Sequence, residues 1–139
     1  MSRLPLILYF VGKFFLFIKL TPLSYITTLL NRIIFSIYLP SEAKIGKGCK
    51  FAYGGLGIVI HKKTVIGINC IIGTSVVIGG KSGHKNVPQI GDNVSIGAGA
   101  KILGPITIGN NVQIGANAVL ISSVKDNIKV AGIPAKEIA

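Results

Sequence analysis

The stretch Gln89-Ile90-Gly91-Asp92-Asn93-Val94-Ser95-Ile96-Gly97-Ala98-Gly99-Ala100 decides the fold. It states one six-residue phrase twice: an aliphatic residue, Gly, two turn-type residues, a small or branched apolar residue, and a spacer. The same phrase runs outward over residues 44–124. Its aliphatic slot holds Ile45, Ile60, Ile66, Ile72, Ile78, Ile90, Ile96, Ile102, Ile108, Ile114 and Leu120. Four places later stand small or branched residues such as Cys49, Cys70, Val76, Val94, Ala100, Val112 and Ala118. Two inward positions in every six fit neither an amphipathic helix nor a simple alternating strand. They fit short strands joined by tight turns and stacked into a parallel β-helix, a mainly β fold. The Gly of the phrase is expected to serve backbone angles that a Cβ would resist.

Three such hexads close a triangular coil, so residues about 18 apart are expected to stack. This arithmetic puts Ile60, Ile78, Ile96 and Ile114 in one column, Ile66, Ile102 and Leu120 in a second, and Ile72, Ile90 and Ile108 in a third. The phrase breaks at residues 80–88, Gly80-Lys81-Ser82-Gly83-His84-Lys85-Asn86-Val87-Pro88, a basic, Gly-rich excursion that must leave the coil as a loop. Loops on rigid scaffolds are where function concentrates.

Residues 1–40 read differently. They are strongly apolar and carry Arg3, Lys13, Lys19 and Arg32 with no acidic residue. Thr21-Pro22 predicts a helix start, with Thr21 as cap and Pro22 in the first turn. A stripe of Leu23, Ile26, Leu29, Leu30, Ile33, Ile34 and Ile37 follows, opposed by Ser24, Thr27, Thr28, Asn31 and Ser36. Leu39-Pro40 is expected to end that helix. The charges interrupt every apolar run before it reaches the length of a membrane span, and no convincing cleavage site marks a signal peptide. Two readings stand for this segment. It packs on the coil or on neighbours in an oligomer, or it lies on an anionic membrane surface. The remainder, 41–139, is expected to be the β-helix domain.

The chain of 139 residues bears a net charge of +11, and its only acids are Glu42, Asp92, Asp126 and Glu137. Such an excess favours polyanionic partners, including phosphate-bearing cofactors and anionic membranes. No nucleic-acid-binding motif accompanies it, which argues against DNA or RNA. Cys49 and Cys70 both occupy inward slots and read as buried free thiols, consistent with a reducing cytoplasm. No His/Cys cluster has metal-ligand spacing, so no metal is expected.

From Ser41 onward the chain resembles the serine acetyltransferase branch of the hexapeptide-repeat acyltransferases. The phrases that carry the resemblance are Gly57-Ile58-Val59-Ile60, Val77-Ile78-Gly79-Gly80-Lys81, residues 88–94 and 96–104, and the closing Ala131-Gly132-Ile133-Pro134-Ala135-Lys136. The resemblance implies a left-handed coil, a homotrimer, and acetyl-CoA as co-substrate held between subunits. It places the CoA arm along Gly79, Gly80, Gly97, Ala98, Gly115 and Ala116, with Lys101 and Lys136 toward its phosphates. The serine-specific branch carries its catalytic His in an Asp-His-Gly-x-Gly phrase, and here that place reads Tyr53-Gly54-Gly55-Leu56-Gly57. A carboxylate that such enzymes carry earlier falls near Tyr38.

Those departures leave the acceptor open. The expected activity is acetyl-CoA-dependent O-acetylation of a small hydroxyl-bearing acceptor, a sugar of a surface polysaccharide or its precursor. L-serine is the enzymatic alternative, and a catalytically inactive scaffold the other. Acetyl transfer to a hydroxyl needs a base and donors for the thioester oxyanion. The two histidines are the candidates. His61 takes the Gly slot of its hexad and so projects from a turn. His84 rides on the 80–88 loop, which leaves from the corner one coil above His61. Tyr53, Gly54 and Lys81 are candidate acceptor contacts. The protein is expected in the cytoplasm, and on the second reading of residues 1–40 it lies peripherally on the inner face of the membrane.

Overall fold

The computed structural model describes residues 3–139; Met1 and Ser2, which open the apolar segment, lie outside them. Two helices, α1 (Leu4–Phe17) and α2 (Thr21–Phe35), precede fourteen short strands. The strands fall on three faces. The first holds β1 (Lys44–Ile45), β4 (Val65–Ile66), β7 (Gln89–Ile90) and β10 (Thr107–Ile108). The second holds β2 (Lys50–Phe51), β5 (Ile71–Ile72), β8 (Ser95–Ile96), β11 (Gln113–Ile114), β13 (Lys129–Ala131) and β14 (Lys136–Ile138). The third holds β3 (Val59–Ile60), β6 (Val77–Gly79), β9 (Lys101–Leu103) and β12 (Val119–Leu120). All pairings are parallel except β13 with β14, which turns back on itself and closes the chain. This is the mainly β, parallel β-helix that the hexads predict.

The register departs from the 18-residue arithmetic. Val77 pairs with Lys101 and Val65 with Gln89, each 24 residues apart, because residues 80–88 are inserted at one corner and take up no coil of their own. The true columns are therefore Ile60-Ile78-Ile102-Leu120, Ile45-Ile66-Ile90-Ile108, and Phe51-Ile72-Ile96-Ile114-Val130. Every one of these side chains is buried. A second insertion, the 3-10 turn Ala52–Gly55, lengthens the first coil, so that Lys50 pairs with Ile71.

The role of the phrase's glycine is also different from the one expected. Gly67 has an ordinary φ, but a Cβ there would come within 2.5 Å of Gly91 O in the next coil. The glycine is needed because the coils stack closely. Left-handed backbone is instead taken two residues later, at Asn69, Asn93, Asn111 and Asn117, or at Gly99 with φ +75°. Asn tolerates that region better than other side chains.

Helix α1 closes the open edge of the first coil. Tyr9, in the core, donates its hydroxyl to Ala43 O at 2.6 Å and accepts from Ile45 N at 3.3 Å. These bonds satisfy backbone groups that an end coil would leave unpaired. Helix α2 begins with Thr21 inside the helix rather than capping it, and the cap position is Leu20. It ends at Phe35, with Ser36 in the left-handed conformation, well before Leu39-Pro40. Ile37 thus leaves the helical stripe and enters the core, and Tyr38 pairs with Val59 at the start of the coil. The polarity of α2 is inverted relative to a soluble amphipathic helix. Ser24, Thr27 and Asn31 are buried, while the stripe from Leu23 to Ile34 is exposed. No helix among the described residues is long and apolar enough to cross a membrane.

Candidate active site

Two corners of the coil collect the residues that the sequence singles out. The first lies between the second and third faces. Its lowest level is the excursion Tyr53–Gly57, and above it stand Thr74-Ser75, then Ala98-Gly99, then Ala116-Asn117. Backbone bonds link the levels: Ser75 N to Leu56 O, Gly99 N to Thr74 O and Asn117 N to Ala98 O, each 2.8 Å. A Cβ on Gly97 would meet the backbone of Ala116, so its smallness serves coil stacking. Ala98 and Ala116 are exposed at this corner, with Ser75 and Asn117 beside them. Their N–H groups have no partner among the described residues and stand one coil apart. Two free amide donors in a column beside methyl groups suit an extended chain carrying amide carbonyls.

Lys101 follows this corner. Its ammonium donates to Ser75 O at 2.9 Å and Gly99 O at 2.8 Å, leaving one donor. Gly115 is stacked like Gly97, with Ala131 directly above. Lys136 lies exposed on β14, whose approach is tied to the top of the corner by Ala135 N to Val119 O at 2.8 Å. At the bottom, Tyr53 is 89% exposed with φ 48°, followed by Gly54 with φ 71°. Left-handed backbone costs a non-glycine residue on the order of 1–2 kcal/mol. At the end of this excursion, beside Gly57, opens a groove of about 450 Å³ lined also by Arg32, Ser36 and Tyr38. Sequence reasoning missed Arg32 as a site residue, because only the end of α2 brings it beside the first coil.

The second corner follows the third face. His61 is half-buried there. Its Nδ1 accepts from Lys63 N at 3.1 Å, so the neutral ring carries its proton on Nε2. Gly79 sits directly above His61, and Leu103 above Gly79. A Cβ on Gly79 or Gly80 would make only ordinary contacts, at 3.5 and 3.4 Å. The fold leaves room that these residues do not fill. The 80–88 loop turns away from His61 toward the later coils. His84 and Lys81 line a groove of about 530 Å³ with Gly80, Leu103, Pro105 and Ile121, and His61 is not part of that lining. The two histidines therefore share a corner but sit on different levels.

Between the corners lies the third face, about 10 Å of extended chain per level, with Val59, Val77, Lys101 and Val119 pointing outward. Within one subunit the histidine corner and the alanine corner are thus separate surfaces. Among the described residues no group of three or more His, Cys, Asp or Glu is placed to hold a metal ion.

Residues 88–122 match the family described as bacterial transferase hexapeptide (six repeats). A serine acetyltransferase of Staphylococcus epidermidis is 47% identical over 107 residues, which is 76% of this chain and 50% of that protein. The chain carries the repeat of the hexapeptide transferases and is similar to serine acetyltransferases. Its coil is the left-handed β-helix of the serine acetyltransferases that it resembles. A solved serine acetyltransferase in complex with CoA superposes with a TM-score of 0.88 at 30% identity, over 96% of this chain and 55% of that one. The Neisseria gonorrhoeae serine acetyltransferase in complex with serine gives 0.91 at 32%, over 97% and 55%. The chain spans about half the length of the curated relatives it matches.

Proposed function

We propose that the chain is the acetyl-transfer unit of an acetyl-CoA-dependent O-acetyltransferase whose acceptor is L-serine. The observation that carries this is the 47% identity to a serine acetyltransferase across the coil. That likeness favours the amino acid over the surface-glycan hydroxyl expected from the sequence. The CoA-bound neighbour supports acetyl-CoA as donor. The pantetheine arm runs along Ala98 and Ala116, whose free N–H groups meet its amide carbonyls, and Lys136 faces its phosphates. Gly79 and Gly80 leave space for the thioester end. The guanidinium of Arg32, in the groove with Tyr38 and Gly57, is suited to a carboxylate.

In the reaction, the acceptor hydroxyl loses its proton to a base and its oxygen attacks the thioester carbonyl carbon. The carbon–sulfur bond then breaks, and the CoA thiolate takes up the proton. We assign the base to His84, whose ring has no hydrogen bond among the described residues and stands in the groove with Lys81. His61, with Nδ1 already accepting, acts as a donor through Nε2 toward the oxyanion. The separation of the two corners supports a homotrimer, in which the histidine corner of one subunit meets the alanine corner of the next.

The test is thiol release from acetyl-CoA by the purified chain with L-serine and with a panel of sugars. Release that depends on serine is the expected result. Release faster with a sugar moves the acceptor to a glycan, and no release with any acceptor leaves only a scaffold.

A further inference from the structure

Helix α2 turns its polar side inward and its apolar side outward, and α1, which buries Pro5, Tyr9 and Gly12, also leaves large apolar side chains outside. Ile7, Phe10, Phe14 and Phe17 are exposed on α1, and Leu29 and Ile33 are 53% and 70% exposed on α2. What holds the helices together is small and polar: Gly12 fits against Thr27 and Ser41, and Asn31 Nδ2 donates to Pro5 O at 3.0 Å. Helices that associate within lipid are joined in this way, by small residues and interhelical hydrogen bonds, because the apolar side chains already have an apolar solvent. A contiguous apolar surface of this extent is uncommon on a soluble monomer and marks an interaction site.

The charges decide what covers it. Arg3, Lys19 and Arg32 are exposed around the apolar surface, Lys13 is half-buried, and neither helix carries an acid. A second copy laid on this face would bring cation against cation with nothing to neutralise them. An anionic lipid surface supplies both the apolar layer and the opposite charge. At 14 and 15 residues the helices are about 21–23 Å long, short of the roughly 30 Å hydrocarbon core. Lys19, at the turn between them, disfavours entry tip first. A groove of about 590 Å³ between α1 and the first coil, walled by Ile7, Phe10 and Phe51 with Arg3 and Lys50 beside them, continues the apolar surface.

We propose that the α1–α2 hairpin docks the protein side-on upon an anionic membrane surface. This stands apart from the catalytic reading, since acetyl transfer does not require it.

The experiment is co-sedimentation of the full chain with phosphatidylglycerol-containing vesicles and with pure phosphatidylcholine vesicles, at low and high salt. Binding is expected to the anionic vesicles and to weaken with salt. Leu29→Gln with Ile33→Gln, both on the exposed face, should lower the partition coefficient about tenfold or more while the far-UV spectrum stays unchanged. Arg3→Gln with Lys19→Gln should lower it about tenfold as well, and remove most of its salt dependence. No binding to anionic vesicles overturns the proposal, as does binding that ignores both pairs of substitutions. If instead the Leu29/Ile33 pair halves the mass seen by light scattering and leaves vesicle binding untouched, a second copy covers the face and the proposal fails.

Discussion

The ammonium of Lys101 donates to the carbonyl of Ser75, one coil below its own, at 2.9 Å. With the second bond to Gly99 O it pins the turn that presents Ala98 to the turn beneath. The same lysine was expected from the sequence to face a phosphate, and two of its three donors are already committed.

This yields a test that separates the two roles. Lys101→Met should lower the melting temperature of the ligand-free protein by a few degrees, reflecting about 1 kcal/mol from partly exposed charge-assisted bonds. The KM for acetyl-CoA should rise only modestly. An unchanged melting temperature with a large rise in KM would return Lys101 to the phosphate.

The glycines make a second contrast. Gly67→Ala forces a methyl into the backbone of the next coil and should cost about 2–3 kcal/mol. Gly79→Ala meets only Leu103, at 3.5 Å, and should leave stability within about 0.5 kcal/mol. On the proposed reading its effect should fall on acetyl-CoA affinity, because the methyl would enter the space assigned to the thioester. Equal losses of stability in both variants would show that Gly79 is a stacking residue like Gly67.

The coil was legible because Ile at every sixth place leaves no other periodicity, and the loop was legible because Gly80 to Pro88 breaks it. The register was not. Counting by 18 cannot distinguish a coil with a missing hexad from an insertion outside the coil, and only the pairing of Val77 with Lys101 does so. The amphipathic pattern of α2 was equally plain, yet periodicity does not say which side faces inward. The site was partly readable: the excursion at Tyr53 and the two histidines stood out as breaks in the phrase. Arg32 did not, because a charge on a helix acquires meaning only from what the helix end touches.

The stacked thiols Cys49 and Cys70 ionise unequally. A hydrogen bond from Cys70 holds Cys49 down at about 7. That donation, followed by burial, pushes Cys70 far above the ordinary thiol range. Cys49 also lines the groove under α1, whereas Cys70 is fully enclosed. Iodoacetamide should therefore label Cys49 alone, at a rate rising through pH 7, since the thiolate is the reactive form. Labelling of both thiols at similar rates, or a rise only above pH 8, would contradict this.

In the proposed mechanism the two histidines act as base and oxyanion donor. His84→Ala should lower kcat on the order of 10²- to 10⁴-fold and remove the limb of the pH profile in which the rate rises with pH. The sign follows from the role: a base works only when unprotonated, so activity is lost as pH falls. His61→Ala should cost less, roughly 10- to 100-fold as one oxyanion donor lost, and should keep that limb. His61→Gln, which restores an N–H donor, should recover part of the rate, as no base substitute could. Neither side chain belongs to the buried columns, so circular dichroism should be unchanged in all three variants. The opposite ranking, with the limb vanishing in His61→Ala and surviving in His84→Ala, would mean that the bond from Lys63 N to His61 Nδ1 opens during turnover and that the base lies on the coil instead of the loop.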